Sequence, residues 1–104
     1  MTDTPLAPLA DRIRVVRDDA AASVPDASVD LVVCNPPFHL GAAVVTTAAD
    51  RLFAAAGRVL RPGGELWTVY NSALRHKPVL TRLVGPTAII DQTPKFTVTV
   101  STRR

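Results

Sequence analysis

The segment Asp30-Leu-Val-Val-Cys34 runs straight into Asn35-Pro36-Pro37. Its apolar residues are consecutive rather than alternating, the pattern of a strand covered on both faces in a parallel sheet. The two prolines have no N–H to offer a ladder, so the strand must stop there, in a loop. A parallel strand reaches its neighbour only through a long crossover, and the next segment can supply one. Val45, Ala49, Leu52, Phe53, Ala56, Val59 and Leu60 recur at three- and four-residue steps. That spacing predicts a helix over Ala43–Leu60, with Asp50, Arg51 and Arg58 off its apolar stripe. Arg61-Pro62-Gly63-Gly64 reads as the turn that ends it.

The remaining elements follow from shorter patterns. Ile13, Val15 and Val16 form a β-like run closed by Asp18 and Asp19. Residues 1–11, with two prolines, read as a poorly ordered start, and residues 12–104 as one domain part. Ala20 to Ser28 is a connection broken at Pro25. Glu65–Tyr70 is a strand and Lys77–Val84 a short helix stopped by Gly85-Pro86. Ala88–Ile90 is a further short strand. Phe96-Thr-Val-Thr-Val100 alternates with period two, as an antiparallel strand with one exposed face does. The order β, β, α, β, α, β, β argues for an α/β layered sheet that ends in a β-hairpin.

Composition excludes little. A chain of 104 residues that is 47% hydrophobic and 20% charged is globular rather than disordered. With 12 basic and 9 acidic residues the net charge is +3. That suits a polyanionic partner and equally a plain solvated surface. The single cysteine, Cys34, forbids an internal disulfide. It is read as a small buried hydrophobe, with a catalytic thiol as the sharper alternative. No apolar run approaches the ~18 residues of a membrane span, and the N-terminus lacks a secretory pattern, so a cytoplasmic location is the default expectation. No metal site is expected.

Asn35-Pro36-Pro37-Phe38 follows a buried strand, and in open α/β sheets ligands bind at the carboxyl ends of strands. The Asn35 side chain offers a carbonyl oxygen. Pro36 offers a backbone carbonyl on a ring-locked backbone. Two fixed acceptors can hold both hydrogens of a planar amine and turn its lone pair outward. Phe38 offers a flat face for a base to stack on, worth ~1–3 kcal/mol. The alternative is a strand-terminating loop in which Asn caps, the prolines stiffen and Phe packs.

Asp30-Leu-Val-Val-Cys-Asn-Pro-Pro-Phe-His39 resembles the core motif of the "methyltransferase small" family. Phe followed by His favours its ribosomal RNA guanine-N2 methyltransferases. The tetrapeptide alone is shared with adenine-N6 and glutamine methyltransferases, which more often carry Tyr at the Phe38 position. Leu60-Arg-Pro-Gly-Gly-Glu-Leu-Trp67, Val69-Tyr-Asn71 and Thr93-Pro-Lys-Phe-Thr-Val98 resemble further family segments. The resemblance spans roughly Ile13 to Arg104.

The resemblance implies a Rossmann-like sheet, S-adenosylmethionine as cofactor and ribosomal RNA as partner. It implies that Asn35, Pro36, Pro37 and Phe38 carry the chemistry. Asp19, or Asp18 after a one-residue shift, would lie with Ala20 against the cofactor's adenine, with a turn or helix cap as the alternative, and Asn35 would also contact the cofactor. His39 would touch substrate or cap the next helix. Asn71 would bound the substrate pocket or end its strand. His76 stands where the family more often has an aromatic residue. Arg75, His76, Lys77, Arg103 and Arg104 are candidates for phosphates, with a plain solvated face as the favoured alternative for each.

The family's first strand, Gly-rich turn and second strand have no counterpart here, so an incomplete sheet is expected, with one side of Asp30–Cys34 unpaired. That leaves open a truncated or half domain, self-association through the free edge, and a non-catalytic RNA-binding remnant.

Overall fold

A computed structural model describes residues 20–36 and 42–104. The Ile13–Val16 run, residues 1–11, Asp18, Asp19, Pro37, Phe38 and His39 lie outside the described residues. Six elements follow in order: β1 (Val29–Cys34), α1 (Ala42–Val59), β2 (Leu60–Asn71), α2 (Lys77–Leu83), β3 (Thr87–Gln92) and β4 (Phe96–Thr102). They form one four-stranded sheet in the order β1-β2-β4-β3. β1 and β2 are parallel, joined by α1. β4 runs antiparallel to both β2 and β3.

The helical stripe becomes the core. Ala49, Phe53, Ala56 and Val59 of α1 are buried, with Leu60, Leu66 and Tyr70 of β2 and with Leu80 and Val84 at α2. Both helices therefore cover one face of the sheet. On that face β2 presents Leu66, Thr68 and Tyr70, and β4 presents Thr97, Thr99 and Ser101, since side chains alternate along a strand. The opposite face carries Trp67 and Val69, with Leu31 and Val33 of β1 at 57% and 73% exposure.

The predicted turn at Arg61-Pro62-Gly63-Gly64 is part of β2, and Leu60 is its first residue rather than the helix's last. Val29 pairs with Leu60 and Leu31 with Glu65, so two steps along β1 match five along β2. The excess chain bulges. Gly63 takes φ +85°, a left-handed value costly for other residues. Gly63 N–H and Gly64 C=O both bond to Arg103, which keeps the bulge inside the ladder. β3 runs longer than Ala88–Ile90, reaching Thr87 and Gln92, with a register shift between Ile89 and Asp91.

Among the described residues β1 pairs on one side only, with β2. No described helix is long and apolar enough to cross a membrane.

Candidate functional site

β1 and β2 are parallel, and β3 runs in the same direction because both flank the antiparallel β4. The carboxyl ends of β1, β2 and β3 thus share one edge of the sheet with the amino end of β4. Asn35 follows β1 there, Asn71 ends β2 and Gln92 ends β3. Cys34 is level with Thr68 on the neighbouring strand. Asn35 and Asn71 therefore stand on adjacent strands, which lie ~5 Å apart.

The side chain of Asn35 is exposed, and among the described residues it makes no hydrogen bond. The next residue, Pro36, is fully buried. One residue points to solvent while its neighbour is anchored in the fold, so the backbone at Asn35 is held while its amide stays available. Cys34 is half-buried and packs against the core. Burial pushes its thiol pKa up, away from the thiolate that nucleophilic chemistry requires.

Along the free side of β1 lies an apolar trough of about 290 Å³, between the strand and α1. Its walls include Leu31 and Val33 of β1, Leu52 and Ala55 of α1, and Ala20 and Ala21. Ala20 and Ala21 have φ of 50° and 57°, values that cost an alanine about 1–2 kcal/mol each. Arg58 holds this segment in place. Its guanidinium donates to the carbonyls of Ala21 (2.8 Å) and Val24 (2.7 Å) and to Asp26 Oδ1 (2.8 Å). The sequence marks Arg58 only as lying off the apolar stripe. Its partners are more than thirty residues away in the chain, so no local pattern reveals the clamp.

The side-chain oxygen of Asn71 accepts from Ala73 N–H at 2.9 Å, an Asx turn that closes β2. His76 is buried, edge-on to the rings of Phe53 (5.2 Å) and Tyr70 (4.9 Å). Its Nε2 has no hydrogen-bond partner among the described residues. Burial lowers the His76 pKa, against a smaller upward pull from the Asp50 carboxylate. Burial likewise raises the pKa of the Tyr70 phenol.

The candidate phosphate contacts separate into groups. His76 is inside the fold. Arg103 donates to the Gly57 carbonyl at the end of α1, and Arg104 to the Thr81 and Arg82 carbonyls at the end of α2. Cations there complement the negative ends of the helix dipoles. Arg75 and Lys77 remain exposed, beside the carboxyl end of β2. Among the described residues no group of His, Cys, Asp and Glu is arranged to hold a metal ion.

A family model described as "Methyltransferase small domain" matches residues 3–100. The "Ribosomal RNA large subunit methyltransferase G" of Streptomyces coelicolor is 50% identical over 80 residues, which is 77% of this chain and 21% of that protein. The protein of the same name from Stutzerimonas stutzeri is 45% identical over 80 residues, again 77% and 21%. The chain thus spans about a fifth of the length of these curated relatives. Among solved structures, the T. thermophilus 16S rRNA N2 methyltransferase RsmC, in complex with AdoMet and guanosine, superposes with a TM-score of 0.72 at 27% identity, covering 97% of this chain and 28% of that one. TrmN from Thermus thermophilus shares the fold, with a TM-score of 0.66 at 23% identity over 98% of this chain and 32% of its own.

Proposed function

The chain belongs to the methyltransferase small domain family, and from that membership we propose that it forms the substrate side of an enzyme that methylates the exocyclic N2 amine of guanine in ribosomal RNA. The observation that carries this reading is the exposed amide of Asn35 at the carboxyl end of β1, which makes no hydrogen bond among the described residues and stands directly before the buried Pro36. The three relatives named for ribosomal RNA methylation support the substrate class.

S-adenosylmethionine is the methyl donor, and it supplies an electrophilic methyl group on a sulfonium. The described residues fit one end of it. The trough beside β1 is apolar where it includes Ala20 and Ala21, as a wall for an adenine ring must be. It contains no charged side chain to meet an amino-acid end. Ala20, with Asp18 or Asp19 just before it in the sequence, is the proposed adenine contact, and Asn35, which follows β1, is proposed to meet cofactor as well as substrate.

An amine on an aromatic base is a weak nucleophile because its lone pair is delocalised into the ring. The Asn35 side-chain oxygen and the Pro36 carbonyl accept its two N–H bonds and favour a pyramidal nitrogen. Acceptors fixed beforehand cost no reorganisation at the moment of reaction, and one such group is worth roughly a hundred- to thousand-fold in rate. Phe38 stacks the base, Pro37 stiffens the loop, and His39 and Asn71 border the pocket. The nitrogen would become cationic as its bond to the methyl carbon forms and the carbon–sulfur bond breaks, with a neutral thioether leaving, and would then lose its proton to water, so no strong base is required.

The test is methyl transfer from labelled S-adenosylmethionine to undermodified ribosomal RNA, followed by nucleoside analysis. Label in N2-methylguanosine that disappears with Asn35→Ala is expected. Label in N6-methyladenosine, in a protein glutamine, or undiminished by Asn35→Ala would refute the reading.

A further inference from the structure

A second cavity, of about 410 Å³, opens at the same edge of the sheet, on the helix-covered face and on the far side of β2 from β1. Tyr70, Ser72, Arg75, Lys77, Ile89 and Gln92 are among its lining residues, and no carboxylate is. Arg75 and Lys77 are exposed, and neither is paired with a carboxylate among the described residues.

The floor is a one-way chain of hydrogen bonds. Ser72 Oγ gives its only proton to the Thr93 carbonyl at 2.8 Å. In the 2.8 Å contact between Ser72 and Thr97, the Thr97 hydroxyl must then donate. Gln92 Nε2 in turn donates to Thr97 Oγ1 at 3.0 Å. Thr97 is 1% exposed, so this floor is fixed rather than solvated. The second amide hydrogen of Gln92 is left over from this chain, since one –NH2 carries two donors. Ile89, 44% exposed, adds an apolar shelf.

We propose that this groove binds the phosphodiester backbone of RNA next to the nucleotide presented at Asn35. The assignment rests on the RNA reading above and adds to it where the backbone is held. A planar guanidinium forks onto phosphate oxygens, an ammonium adds a point charge, and an amide donates a further hydrogen bond. The groove meets a phosphate with these donors and no opposing anion. It starts at β2, the strand beside β1, and so lies within reach of a flanking nucleotide. Arg103 and Arg104 do not share the role, because their guanidinium groups are held by helix carbonyls.

The experiment measures binding of the full 104-residue chain to a labelled, unmodified RNA hairpin with guanine in its loop, by fluorescence anisotropy across a salt series. Arg75→Gln/Lys77→Gln is expected to weaken binding by roughly tenfold or more, and to flatten the log–log salt slope by about 0.7 for each phosphate no longer neutralised. Arg61→Gln/Arg82→Gln removes the same charge elsewhere and is expected to leave the affinity within about twofold. Thermal melting confirms that both double variants fold, and Arg75→Glu alone gives a second reading of the same site. Equal weakening in both double variants, no weakening in the first, or no RNA binding by the parent chain would overturn the proposal. So would displacement of the RNA by polyglutamate as readily as by unlabelled hairpin, the result for an acidic protein partner. Groove-dependent binding without methyl transfer would refute the catalytic reading while leaving the groove intact.

Discussion

Arg58 donates to the main-chain carbonyl of Ala21 across 2.8 Å, joining the last turn of α1 to a residue 37 positions earlier. With the bonds to Val24 and Asp26, this fork holds a segment that contains three left-handed alanines, Ala20, Ala21 and Ala27, and leads into β1. Arg58→Ala is expected to cost about 1–2 kcal/mol, since it removes charge-assisted bonds to partly buried carbonyls. Native-state hydrogen exchange should lose protection first at Val24 and Ala27, whose N–H groups bond to Ala21 and Arg58 carbonyls. If protection falls evenly over the sheet instead, the fork is not what orders this segment.

Gly57 is where the two helices and the chain's end meet. Its carbonyl accepts from Arg103, and a Cβ added to it would lie 2.6 Å from the Leu83 carbonyl oxygen. In an open helix, Gly→Ala gains about 1 kcal/mol. Here the obstruction is backbone, which cannot turn aside, so separation of α1 from α2 should outweigh that gain. Gly57→Ala is expected to lose about 1–3 kcal/mol, the range for overpacking. Urea denaturation reads the sign directly, and a stabilised variant would mean that the helices part at little cost.

His76 should make the fold sensitive to acid. Its pKa is lowered in the folded state by burial, below the ordinary 6.5. Above both values the ring is neutral in folded and unfolded chains, and stability does not depend on it. As pH falls below about 6.5 the unfolded chain binds a proton that the folded one refuses, so stability is lost until the folded pKa is reached. Asp50 on α1 pulls the other way and narrows the window. His76→Phe keeps a ring against Phe53 and Tyr70 and removes the titration. Unfolding free energies at pH 7.5 and pH 5.5 should therefore differ less in His76→Phe than in the parent.

The α1 stripe was legible because it is periodic over many residues, and burial follows that periodicity at Ala49, Phe53 and Ala56. The strand before Asn35 was legible as a continuous apolar run stopped by two prolines, but the cover expected on both its faces is not found among the described residues, where Leu31 and Val33 are exposed. Arg61–Gly64 was not legible, because Pro-Gly-Gly carries a turn signal locally. Its pairing with Arg103, forty residues later, overrides that signal. The sequence offers Arg75, Lys77, Arg103 and Arg104 as equivalent cations. Only the fold sends the last two back onto helix carbonyls and leaves the first two lining a groove. At the site, the position of Asn35 at a strand end was readable from the prolines behind it. Its exposure beside a buried Pro36 depends on tertiary packing, which no local pattern contains.

Asn71 has two readings that one substitution separates. Its Oδ1 accepts from Ala73 N–H and so shapes the turn after β2. Its –NH2 is not used by that turn and stands at the sheet edge it shares with Asn35. Asn71→Asp retains an acceptor for Ala73 and should hold stability within about 0.5 kcal/mol, as surface replacements that keep their backbone bond do. Asn71→Ala removes the turn bond and should cost about 1 kcal/mol. If Asn71 borders the substrate, Asn71→Asp should transfer methyl groups at least tenfold more slowly despite its intact fold, because a donor is replaced by an acceptor. A variant that melts and methylates like the parent would assign Asn71 to the turn alone.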